Sequence, residues 1–267
     1  MRAFFGLLMA AIVSGCAAHL PSPAALDETK QVAFIARITD TAGPHSTVFR
    51  DDSSYKEKLK RLSPEEADRR LGNALTVGST DKNGELVART ISRFEFADSL
   101  RSNTLALLPK VNPWTRVVHA VKVARVLESF LVHEVPANAP DYERLRALGA
   151  DTVVEIVIED YGMRSQNGVA GVYVLGFARM FRIDGSELYR RNFISDDLHA
   201  GLPHLDPFEV RKNAELFAAR IRQVVTGVAE QVAKDLTPAR RTAETSDGTT
   251  PPQETPGAEQ PPSDDPL

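Results

Sequence analysis

The feature that most constrains the fold of this chain is an alternation of apolar and polar residues that begins at Asp151. DTVVEIVIEDYG, Asp151 to Gly162, sets Val154, Ile156 and Ile158 on one side and Glu155, Glu159 and Tyr161 on the other. That is the period of a strand with one buried and one wet face. The polar stretch MRSQNG, Met163 to Gly168, then connects to VAGVYVLGFARMFRI, which meets ELYRRNFI through Asp184-Gly185-Ser186. Asp-Gly between alternating runs is a strong hairpin signal. The expectation is a three-stranded antiparallel meander from Asp151 to about Ile194.

A meander needs a cover for its apolar face. The segment opening at Asp206-Pro207-Phe208-Glu209 supplies one, because an aspartate acceptor and a first-turn proline mark a helix start. Beyond it Phe217, Ile221, Val224, Val225, Val228 and Val232 recur at helical spacing. Upstream, QVAFIARITD (Gln31 to Asp40) reads as a strand closed by the turn Thr41-Ala42-Gly43-Pro44. DDSSYKEKLKRLSPEEADRRLGNAL reads as two helical pieces, the second opened by a capping box at Ser63, Pro64 and Glu66. Its Lys56, Lys58, Lys60 and Arg61, interleaved with Glu57 and Glu65, form a solvated helix face. Between Gly72 and Asn112 the pattern is least regular, with Asn83-Gly84 as a turn and VARTISRFEF as a strand. After Asn112-Pro113, WTRVVHAVKVARVLESFL is a helix with Val117, Ala120, Val121, Ala124, Leu127 and Leu131 on one face. His119 packs beside that face. FLVHEV is a short strand, and DYERLRALGA a compact helix ended by Gly149.

The order strand, helices, strand, helix, meander, helix predicts a single α/β (or α+β) domain over residues 31–236, with helices packed on a mixed sheet. Both ends fall outside it. From Thr237 the chain reads TPARRTAETSDGTTPPQETPGAEQPPSDDPL, with seven prolines, six acidic residues and a terminal Leu267 as its only large aliphatic residue. It cannot bury enough apolar surface to offset the entropy of ordering, so residues 237–267 are expected to be a disordered tail.

The first 15 residues have one positive charge at Arg2, an apolar run from Ala3 to Val13, and then Ser14 and Gly15. This is the grammar of a signal peptide. The run is about half the roughly 20 residues needed to span a bilayer. Immediately after it stands Cys16, the only cysteine in 267 residues. Val13-Ser14-Gly15-Cys16 resembles the lipobox of bacterial lipoproteins, in which cleavage leaves the cysteine first and its sulfur and amine carry acyl chains. The resemblance implies that Cys16 is the lipidation site, that residues 16–30 tether lipid to domain, and that the protein is held to a membrane; two or more chains give stable anchoring. Ala17 is not the aspartate that favours inner-membrane retention in such proteins, which points to the outer membrane, facing the periplasm. With Cys16 acylated no thiol remains for a disulfide, so the domain is held by its core alone. At 42% hydrophobic residues a core is within reach.

Net charge is −4 from 32 basic and 36 acidic residues spread along the chain. No basic field exists to attract nucleic acid, and nucleic-acid binding is excluded on that ground. No nucleophile and base motif, phosphate loop, CxxC or HExxH is present, and no cofactor is implied. SDDLHAGLPHLD crowds Asp196, Asp197, His199, His204 and Asp206 into twelve residues. Imidazole nitrogen and carboxylate oxygen suit zinc or manganese, so Asp197, His199 and His204 are the metal candidates, against an ordinary polar loop in which Asp206 is already a helix cap. Glu155, Glu159 and Asp160 are the other carboxylates that suggest acid and base catalysis. Glu155 and Glu159 sit about 13 Å apart along a strand, too far for paired acid and base work.

ALGADTVVEIVIEDYG, the long strand after it, the hairpin IDGSELYRR and the final amphipathic helix resemble the α/β domain of periplasmic envelope-assembly lipoproteins. That group includes the curli-export channel lipoprotein, polysaccharide-export accessory lipoproteins and the amino-terminal domain of TolB. Leu148, Gly149, Ala150 and Asp151, then Asp184, Gly185 and Leu188, carry the match, which covers about 50 residues of this chain. The resemblance implies a non-enzymatic protein that acts by oligomerising or by docking on larger envelope machines, so the expected partners are an envelope complex or further copies of itself. The competing expectation is a lipid-anchored hydrolase or metal- or ligand-binding protein using the loop at 196–206.

Overall fold

The computed structural model describes residues 19–77, 92–109, 116–127, 141–198 and 202–237. The leader, Cys16, the Asn83-Gly84 turn, FLVHEV, His199 and the tail from residue 238 lie outside them.

One mixed sheet of five strands forms the centre, in the order β1-β3-β4-β5 with β2 beside β3. β1 (Val32–Ile38) runs parallel to β3 (Thr152–Gln166), and β2 (His45–Ser46) pairs in parallel with the far end of β3 at Gly162 and Met163. β3, β4 (Val169–Arg182) and β5 (Glu187–Asp196) are the antiparallel meander. β3 continues through Met163 to Gln166, which was expected to be a connecting loop. Its turn needs only Asn167 (φ 53°) and Gly168 (φ 78°), a two-residue hairpin in which both central residues take positive φ.

The alternation of β3 breaks once. Its register with β4 shifts between Ile158 and Asp160, a bulge that leaves Glu159 exposed and returns Tyr161 and Met163 to the side of Val154, Ile156 and Ile158. Tyr161, expected on the wet face, is therefore in the core. The opposite face is not wet either. Ala33, Ile35 and Val153 pack there with Val118, Val123, Leu127, Leu145 and Phe181 in a second apolar cluster, and Glu155 on that side is 0% exposed.

The helices are α1 (Pro23–Asp27), α2 (Val48–Asp51), α3 (Ser53–Lys56), α4 (Pro64–Val77), α5 (Arg93–Leu107), α6 (Ala120–Val126), α7 (Pro207–Lys212) and α8 (Glu215–Asp235), with a 3₁₀ helix at Tyr142–Leu148. α5 and α8 pack on each other and cover one face of the sheet; α6 and the 3₁₀ helix cover the β1 side of the other. Phe217, Ile221, Val224, Val225, Val228 and Val232 of α8 are all buried, as their spacing requires. Gly149 ends the 3₁₀ helix at φ 81°, left-handed backbone that suits glycine.

Several boundaries differ from expectation, each for a local reason. Arg93 to Phe96 open α5 instead of ending a strand, because Ser92 and Glu95 form a reciprocal capping box. The helix expected from Asn112 starts only at Ala120. Val117 and its neighbours bridge to β1 instead, with Val32 N–H donating to the Arg116 carbonyl (2.9 Å) and Val118 N–H to the Val32 carbonyl (2.8 Å). His119 then caps α6, its Nδ1 accepting from Val121 N–H at 3.3 Å. The carboxy-terminal helix is two helices: Asp206 caps the first, but extended Asn213 ends it and its Oδ1 accepts from Glu215 N–H (3.2 Å) to start the second. At Ser63 only half of the capping box forms, since the Glu66 carboxylate turns to Arg69 and Arg70.

The tether expected over residues 16–30 is folded from His19 onward. Ser22 caps α1, Leu26 is 2% exposed within the main core, and Lys30 N–H donates to Asp151 at 2.8 Å. Among the described residues no helix is long and apolar enough to cross a membrane.

Candidate functional site

β1 ends at Ile38, and the chain turns through Thr39 to Pro44 before β2. Outside this carboxyl end lies a cleft of about 900 Å³ whose walls include Asp40, His45, Leu75, Arg93, Phe96, Tyr161 and Phe217. The place is where a sheet with parallel strands opens a crevice, and the size falls in the range of small-molecule pockets. Asp160, released from the strand pattern by the bulge, fastens the loop. Its Oδ1 accepts from Gly43 N–H (3.1 Å) and Tyr161 N–H (2.9 Å) and lies 2.8 Å from His45 Nδ1, while its Oδ2 accepts from the Tyr173 hydroxyl at 2.8 Å. Across the cleft the Arg93 guanidinium donates to the carbonyls of Thr39 and Asp40. The carboxylate that orients His45 is thus spent on holding the loop. Ser46, the nearest hydroxyl in sequence, donates to Asp68 at 2.5 Å. The wall is built to keep a shape.

On the opposite face Glu155 gathers a buried ionic network that the sequence reading missed. Its Oε1 accepts from Arg37 Nε (2.7 Å) and the Tyr142 hydroxyl (2.5 Å), and its Oε2 from Arg179 Nε (2.6 Å). Burial alone would raise its pKa, but Arg37, the Tyr142 hydroxyl and Arg179 outweigh that and hold the carboxyl below the usual range. Burial beside Glu155 pushes the Tyr142 phenol far up, so it stays a donor. The signal was present in the strands: AFIAR, VVEIV and GFARM are apolar runs carrying one charge each, and Arg179 stands directly opposite Glu155 in the register.

The acidic and histidine loop comes apart into separate structural roles. Asp197 is 4% exposed; its Oδ1 accepts from Val172 N–H (2.7 Å) and its Oδ2 from Arg220 (2.9 Å). Burial pushes its pKa up against these donors. Asp196 pairs with Arg164, His204 Nε2 lies 2.8 Å from the Tyr55 hydroxyl, and Asp206 caps α7 with Oδ1 accepting from Phe208 N–H at 2.9 Å. His199 lies outside the described residues, and among those residues no group of three or more His, Cys, Asp or Glu is placed to hold a metal ion. The loop straps α8 to β4.

No protein-family model matches the chain, and no curated protein matches it. Several solved structures are similar to it at low level. Among them are the PelC dodecamer from Paraburkholderia phytofirmans (10% identity, 79% of this chain and 90% of that one, TM-score 0.31), the hypothetical protein CT253 from Chlamydia trachomatis (11%, 78% and 98%, 0.31), and lipoprotein GNA1162 from Neisseria meningitidis (12%, 77% and 99%, 0.32). The sheet order and the site geometry rest on this chain alone.

Proposed function

We propose that this chain is a non-enzymatic lipoprotein of the bacterial envelope. It is anchored through acylated Cys16 in the outer membrane, faces the periplasm, and supports transport or assembly there by docking on other proteins. The leader and Val13-Ser14-Gly15-Cys16 support the address, and Ala17 supports the outer membrane within it. The observation that carries the docking is Phe94, which is 76% exposed and stands between Arg93 and the cleft-lining Phe96 at the start of α5. A phenyl ring left in water forgoes roughly 1.5–3 kcal/mol of burial, and an exposed aromatic on the capped, rigid first turn of a helix has the character of an interface anchor.

The test is capture of the native lipoprotein from envelopes solubilised in mild detergent, compared with Phe94→Asp. A partner retained in fixed proportion should fall in yield by roughly tenfold or more in the variant, the loss of about 1.4 kcal/mol or more expected of an anchor. The melting temperature should stay the same, because the ring is exposed. Equal recovery with both proteins, or no partner with either, would contradict the reading.

A further inference from the structure

The folded tether ends at a defined place. His19 N–H donates to the Arg190 carbonyl at 2.9 Å and Arg190 N–H to the His19 carbonyl at 3.0 Å, an antiparallel bridge on the outer edge of β5. From there on the chain has no slack. Ser22 caps α1, Leu26 is in the core, and Glu28 pairs with Arg182 at 2.6 Å. Three residues upstream of His19 is Cys16, and three residues of fully extended chain reach at most about 10 Å.

We propose that the lipid on Cys16 seats the outer edge of β5 against the headgroup layer of the membrane, with the His19–Arg190 bridge as its fixed point. This rests on the lipid anchoring proposed above. The length of free chain excludes a domain that swings away on a long leash, and the edge has the chemistry of an interfacial surface. Leu20, 54% exposed, stands next to the bridge, and Ile194, 73% exposed, lies further along β5 on the same sheet face as Arg190 and Asn192, where this edge strand is left uncovered. Arg190 is exposed on the same strand, and its partner Glu187 is 3.4 Å away in an exposed pair. Such a pair is weak in water, and the contact of the guanidinium with the Phe177 ring face, 4.7 Å to its centroid, does not use its N–H donors, so these can turn to lipid phosphate, with the apolar side chains at the acyl boundary. The seating also has a consequence for docking. β1 lies three strands from β5 in the sheet order, roughly 14 Å at about 4.8 Å per strand. The cleft opens on that side, beyond the end of β1 and away from the bilayer.

The test uses the full lipidated protein in vesicles of phosphatidylethanolamine and phosphatidylglycerol that include a lipid with a quencher on its headgroup. Single fluorophores are attached through Asn192→Cys on β5 or Lys122→Cys on α6, both exposed positions; acylated Cys16 does not react. The label at 192 should be quenched at least about threefold more than that at 122, because α6 packs on β1, three strands or roughly 14 Å along the sheet from the seated edge. His19→Pro, which removes the donor to Arg190, should narrow that difference. Equal quenching at the two positions, or stronger quenching at 122, on vesicles that carry the protein would overturn the seating alone. Weak quenching at 192 with energy transfer between labels on two molecules would also overturn it, in favour of a second copy on this edge. Protein that does not float with the vesicles would overturn the lipid anchoring, and the seating with it.

Discussion

Glu155→Gln is expected to lower the unfolding free energy by roughly 3 kcal/mol at neutral pH, because removing one partner of a buried ion pair leaves the other charge uncompensated. Two guanidiniums are left here, Arg37 and Arg179. Their side chains are 21% and 24% exposed, so both can reach partial hydration, which sets the cost at the lower end of the usual range for such a change. For a chain of this size the loss corresponds to a fall in melting temperature of roughly 6–12 °C. The effect has a pH signature whose sign follows from the direction of the shift. The Glu155 carboxyl is held below its ordinary value of 4.5 in the folded protein. Its contribution is therefore complete above that value and fades as pH falls through the lower, folded one. Urea unfolding at pH 7 and again near pH 4 should show the variant losing more at pH 7. The same loss at both values would mean that the side chain matters for its packing and not for its charge.

Gly171→Ala is expected to cost roughly 2–4 kcal/mol, a large effect for one methyl group, because the change dislodges a hydrogen-bonded buried carboxylate. A Cβ on Gly171 would stand 1.9 Å from Asp197 Oδ1 and 2.9 Å from Leu198 Cδ2. Asp197 would have to leave Val172 N–H and Arg220, and the strap that runs from the end of β5 to α8 would open. The mechanism can be separated from crowding in general. In an Asp197→Ala background the obstructing carboxylate is gone, so adding Gly171→Ala should cost less than about 1 kcal/mol, a strong departure from additivity between touching sites. Thermal unfolding of the two single variants and the double variant measures it. Additive losses would show that Asp197 does not oppose the methyl group.

Both variants touch features that a linear pattern records poorly. The period of the meander, the Asp184-Gly185 turn and the apolar face of α8 were legible because each depends on neighbours a few residues away. Glu155 was not. An acidic residue in an alternating strand looks like the wet face until a second layer covers it, and that layer comes from residues 116–127 and 142–148, whose patterns overlap between helix and strand. Tyr161 changed sides through one extra residue at the bulge, which no periodicity announces. The start of α5 was legible in principle, since Ser92 and Glu95 have capping-box spacing, but the β-branched residues before them pulled the reading toward a strand. The loop at 196–206 shows the opposite error. Crowded carboxylates and imidazoles suggest a metal when counted along the chain; in space Asp197 faces Arg220, His204 faces Tyr55, and Asp206 faces a helix end. The cleft beside His45 was not legible at all, because its walls come from α4, α5, β3 and α8 as well as the loop after β1.

Address, seating and the outward direction of the cleft all follow from the attachment at Cys16. The intact mass of the native protein, extracted from envelopes in detergent, tests it most directly. The mature chain should begin at Cys16 and be heavier than its sequence by acyl chains on the sulfur and the amine. A chain that begins elsewhere, or one that begins at Cys16 with no added mass, would contradict it.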